Sequence, residues 1–76
     1  MSNELAFKRL YTCGTHVAGH GREVGHGNTA LPPPRHDFAM GIVVMMPSRQ
    51  GDVYTVLDEL TFQVLESRED EITALA

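Results

Sequence analysis

Nine consecutive residues, Phe38-Ala39-Met40-Gly41-Ile42-Val43-Val44-Met45-Met46, are apolar or glycine, and Pro47 follows at once. Branching at Cβ in Ile42, Val43 and Val44 restricts χ1 against a helical turn and packs well on a pleated surface, so this short run predicts a strand. Its near-continuous apolarity predicts coverage on both faces, with Met40, Met45 and Met46 in the core. Gly41 marks a bulge or a close backbone approach. Pro47 ends the strand, and Pro47-Ser48-Arg49-Gln50-Gly51-Asp52 has the residues of a turn, so a hairpin connection is expected. Whatever else the chain does, it has to build a sheet around this segment.

The flanking segments are less one-sided. Phe7, Tyr11 and Cys13 alternate with Arg9, while Leu5, Ala6, Arg9 and Leu10 fit a helical face behind Ser2; the aromatic and β-branched content of Ala6 to Thr12 favours a strand. Val53, Val56, Leu57, Leu60 and Val64 fall at helical spacings behind Asp52, but Phe62 would point away from that face. Val53 to Leu57 and Thr61 to Leu65 are rich in strand formers, so two strands joined near Asp58-Glu59 are expected, although no glycine or asparagine marks the turn. Ser67 as N-cap, Glu69, Asp70 and Glu71 in a first turn, and Ile72 and Leu75 directed inward predict a short C-terminal helix. The expected fold class is α+β: three or four antiparallel strands, that helix, and a long Gly/His/Pro-rich loop over 14–37, within a single domain spanning 1–76.

A chain of 76 residues with one cysteine has no intramolecular disulfide to compensate for a small core. It suits a reducing, cytoplasmic setting, and added stability is expected from a metal, a homodimer or a partner. No apolar run approaches the roughly 20 residues that span a bilayer, and Leu5 to Leu10 makes no signal-peptide core, so neither membrane insertion nor export is expected.

All four histidines, the cysteine and five of the seven glycines fall between Cys13 and His36. Glycine's backbone freedom and the stiff Pro32-Pro33-Pro34 spacer predict a loop there. Cys13, His16, His20 and His26 have ligand types that zinc accepts, in the spacing C-x2-H-x3-H-x5-H, which makes a small zinc-binding domain one reading. The spacing is poor, since structural zinc sites usually draw their ligands from two separated pairs, and the plainer expectation is no cofactor, with solvated loop histidines and Cys13 as a small buried residue at a strand end. The Gly-His-Gly echo lacks the glycines of a dinucleotide fingerprint and the Gly-Lys-Ser/Thr end of a phosphate loop. No base and orienter close around Cys13, so no catalytic residue is assigned and the chain is not expected to be an enzyme.

Charge is uneven: residues 1–50 sum to +2 and residues 51–76 to −6. With −4 overall and scattered basic positions, nucleic-acid binding is disfavoured. The acidic third suits a basic protein surface or simply keeps the chain in solution. The function expected is a non-enzymatic, acidic interaction module that binds and modulates, most simply inhibits, a larger protein, by class-level analogy with small bacterial and phage regulators of host transcription machinery. Lys8, Arg9, Arg22, Arg35, Glu66, Glu69, Asp70 and Glu71 are the contact residues this reading selects. A structural subunit of a larger assembly is the remaining alternative.

Overall fold

In a computed structural model that describes residues 8–24 and 34–75, the apolar run becomes the hub of a closed sheet. Among the described residues there are five strands: β1 (His16–Glu23), β2 (Arg35–Met45), β3 (Tyr54–Asp58), β4 (Val64–Ser67) and β5 (Ile72–Ala74). They pair in the order β2-β3-β4-β1-β5, and a β2–β1 pairing closes the first four into a small barrel with β5 outside the ring. All pairings are antiparallel.

The expected α+β class is therefore wrong, and the chain is almost entirely β. The segment read as a C-terminal helix holds only a 3-10 turn, Glu69–Glu71, and then β5. Burial decides against the helix: Ile72 fills the core from a strand laid on Gly19, while Leu75 is exposed. Ser67 is no N-cap but a buried β4 residue whose hydroxyl donates to the His20 carbonyl at 2.8 Å. The strand expected over Ala6 to Thr12 is absent from 8–12, and its first two residues lie outside the described residues.

The loop expected over 14–37 also needs correcting, because β1 occupies its first half and β2 begins at Arg35; the stretch 25–33 lies outside the described residues. Glycine's backbone freedom predicts that loop, but two of these glycines provide closeness. A Cβ on Gly21 would sit 2.3 Å from the Ser67 hydroxyl oxygen and 2.8 Å from the Glu66 carbonyl oxygen, and one on Gly19 would sit 2.1 Å from the Glu71 carbonyl oxygen. Gly21 lets β1 close tightly on β4 within the ring, and Gly19 lets the 3-10 turn and β5 lie directly against β1.

On the same edge of β1, β4 pairs at Arg22 and Glu23 and β5 pairs at Val17 to Gly19. The 3-10 turn is thus an insertion that splits one long strand into two. β2 bends round the barrel with help from two irregularities, one opposite Val17 to Gly19 and one between Val43 and Met45; bulges increase local twist and allow such closure. Val17, Phe38, Val43, Tyr54, Val56, Leu65 and Ile72 form the core, flanked by Tyr11 and Met46. The β3–β4 hairpin matches the expected pair of strands, shifted by one to three residues.

Candidate interaction face

Alternation along three neighbouring strands divides them into an inner and an outer row. Val43, Val56 and Leu65 lie opposite one another and are buried. One residue along, Ile42, Leu57 and Val64 form the matching outer row, and the first two keep partial exposure while Val64 is exposed. Met40, Val44 and Met45 of β2 are exposed as well, so the methionines at 40 and 45 are surface residues and not the core residues expected; Met46 is partly buried against the core. The barrel interior has room for only one row.

The β3–β4 turn, bonded to β2 through Glu59 N and the Met40 carbonyl, adds exposed apolar residues at the end of these strands. Asp58, buried at the end of β3, organises it: its carboxylate oxygen accepts from Leu60 N at 2.9 Å, its carbonyl accepts from Phe62 N at 2.7 Å, and its own N–H donates to the Gln63 carbonyl at 2.9 Å. An aspartate side chain bonding two residues ahead does the work expected of glycine or asparagine. Phe62 sits at φ 63°, a left-handed conformation that is costly for a bulky residue, and yet the residue is 74% exposed. Leu60 beside it is 69% exposed. The turn holds a strained backbone that presents two large apolar side chains to solvent.

The charged residues selected from the sequence divide into two groups. Arg9, Arg22, Glu69 and Glu71 are used within the chain. Arg22 donates two hydrogen bonds to Glu71, at 2.7 and 3.0 Å, and the Glu71 carboxylate also accepts from Arg68 N at 2.7 Å with only 8% of its side chain exposed. The Arg22 bonds hold the Glu71 carboxyl down to about 2 against the opposing effect of burial, and in return Glu71 raises the Arg22 guanidinium. Glu69 accepts from the Tyr54 hydroxyl at 2.7 Å and from Leu10 N at 3.1 Å. Burial is the main cause that pushes the Tyr54 phenol up. Arg9 donates to the Pro47 carbonyl at 2.7 Å. Lys8, Arg35, Glu66 and Asp70 are exposed.

The four zinc-ligand candidates are not brought together among the described residues. Cys13 is exposed, not buried as expected. The His16 ring nitrogen lies 3.6 Å from Glu59 and that of His20 lies 3.5 Å from Glu71, while His26 is outside the described residues. No cluster of three ligand-type side chains suited to a metal occurs among the described residues.

The chain matches no family model, no curated protein and no solved structure. Its site is therefore read from its own geometry. The outer apolar residues were missed in the sequence because they were assigned to the core. The available signal was quantity: 42% of the chain is hydrophobic, whereas the barrel buries seven such residues among those described.

Proposed function

We propose that this chain is a non-enzymatic interaction module that binds and modulates a larger protein through the outer face of β2, β3 and β4. The carrying observation is the outer row of partly exposed Ile42 and Leu57 and exposed Val64, together with exposed Met40, Val44, Leu60 and Phe62. A contiguous apolar patch on so small a domain marks an interaction surface, and Phe62 adds a large exposed apolar side chain to it. Backbone strain at Phe62 supports the same reading, since strain persists at positions held for use. Charges contribute at the margin: Glu66 and Asp70 are exposed beside this face or beyond it, whereas Arg22 and Glu71 serve the barrel.

Capture from the lysate of the native host, run in parallel with a Leu57→Thr/Val64→Thr variant and a Glu66→Lys/Asp70→Lys variant, tests the assignment. Threonine keeps strand propensity while removing apolar contact. A partner held by the wild type and the charge variant but lost from the threonine variant is the expected result. A partner lost only from the charge variant would move the contact to the acidic residues and overturn the apolar face.

A further inference from the structure

Glu23 N–H donates to the Pro34 carbonyl, and Gly21 and Gly19 lie opposite His36 and Phe38. In an antiparallel ladder hydrogen-bonded pairs recur every second residue, so His36 and Phe38 direct their backbone groups toward β1, while Arg35 and Asp37 direct theirs away. On that far side β3 pairs with β2 only from Gly41 onward, with one further bond from Glu59 N to the Met40 carbonyl. Among the described residues, nothing pairs with the outer edge of β2 from Arg35 to Ala39, and neither Arg35 nor Asp37 makes a side-chain hydrogen bond or ion pair. Both are exposed.

We propose that this edge pairs with the same edge of a second copy, antiparallel about a two-fold axis at His36, so that Arg35 of each copy faces Asp37 of the other. Before the irregularity that follows Phe38, the backbone groups pointing outward belong to Arg35 and Asp37, so the self-pairing registers with matched groups in this regular stretch are few. One places Arg35 against Asp37 twice, with four backbone hydrogen bonds. Shifting by two residues either way sets Arg35 against Arg35 or Asp37 against Asp37, and like charges directly opposite are destabilising. Charge thus selects the register. Edge strands often carry charge to repel neighbours, but Arg-x-Asp is complementary to itself when inverted.

The neighbours on β1 point the same way. Arg22 lies directly across from Arg35, and its guanidinium is already engaged by Glu71, so Arg35 faces a like charge on one side and lacks an acid on the other. His20 lies across from Asp37, with its ring nitrogen 3.5 Å from Glu71 and not given over to Asp37. An isologous edge contact meets both needs, as two-fold symmetric dimers do with one patch used twice. This contact lies on the edge of β2 and leaves the apolar face of β2, β3 and β4 for the larger partner.

Sedimentation equilibrium of the full chain tests it, with four proteins: wild type, Arg35→Asp, Asp37→Arg and the double swap. The wild type should dimerise, each single reversal should weaken association by at least about tenfold, and the double swap should restore it. Asp37→Pro, which removes an N–H not used inside the barrel, should abolish the dimer while the circular dichroism spectrum stays unchanged. A wild type that stays monomeric to millimolar concentration, or a dimer indifferent to the single reversals and to proline, overturns the proposal.

Discussion

Arg22 and Glu71 stand 49 positions apart in sequence and are joined by two hydrogen bonds of 2.7 and 3.0 Å. Glu71 also closes the 3-10 turn through Arg68 N, so one carboxylate fixes the insertion that divides β4 from β5 and ties it to β1. Glu71→Gln keeps the shape but leaves Arg22 facing a neutral amide. It should lower the unfolding free energy by about 2 kcal/mol, read as a lower urea midpoint at unchanged slope.

The same pair gives the barrel an acid limit. With the Glu71 carboxyl held at about 2 in the folded chain against an ordinary value of 4.5, the folded state binds this proton later than the unfolded state. The stabilisation is complete above roughly pH 4.5 and disappears as pH falls from there through about 2, amounting to some 3 kcal/mol at most. Stability measured from pH 2 to pH 6 should show this loss in the wild type and a flatter profile in Glu71→Gln. An equal slope in both proteins would remove Glu71 as the source.

Glycine substitutions should separate closeness from freedom. At Gly19 an added Cβ meets the Glu71 carbonyl oxygen at 2.1 Å, whereas at Gly51, φ 85°, it meets nothing within 4 Å. Gly19→Ala should therefore cost about 3 kcal/mol or lift the 3-10 turn and β5 off β1, since backbone has to move. Gly51→Ala should cost only about 1 kcal/mol for its left-handed backbone. Thermal unfolding of the two variants side by side reads the difference.

Phe62 should show a trade between stability and binding. Phe62→Gly relieves the left-handed conformation of a residue with little to lose in packing, so the isolated domain should become more stable by about 1 kcal/mol. The same variant removes the most exposed aromatic of the face and should bind the captured partner more weakly. Destabilisation by Phe62→Gly would mean that the ring packs onto the barrel.

Tyr54 carries a different load. Its hydroxyl donates to Glu69 and accepts from Tyr11 N at 3.2 Å, and its ring meets that of Tyr11 edge-on at a centroid distance of 5.6 Å. Tyr54→Phe keeps the ring contact and loses both hydrogen bonds, which should cost about 1–2 kcal/mol. Little further loss is expected on adding Glu69→Gln to Tyr54→Phe, because the two residues share one bond.

The apolar run of β2 was legible because composition and length agree on a strand, and the 53–66 hairpin because β-branched and aromatic residues outweighed a helical spacing that Phe62 already broke. The C-terminal segment misled for a physical reason: Ser67, Glu69, Asp70 and Glu71 are the residues of a helix N-terminus, but the nearby β1 edge offers Ile72 a buried place that only a strand reaches. Local preference lost to a long-range contact. The Gly/His tract misled likewise, since glycine's lack of a side chain serves either flexibility or close approach, and only the partner strand decides which. Of the site, the charged residues were named but their roles were not visible, because whether Arg22 meets solvent or Glu71 depends on a contact across most of the chain. The apolar face was hidden by the assumption that a small domain buries what it can, when a four-strand barrel has one narrow interior.

Photo-crosslinking in the native host, with a benzophenone side chain placed at Phe62 in one strain and at Asp70 in another, probes the outer face most directly. A discrete adduct with another protein from position 62, and none or much less from position 70, is expected if the face of β2, β3 and β4 is the binding surface. An adduct formed from position 70 alone would place the contact on the acidic turn and refute the face.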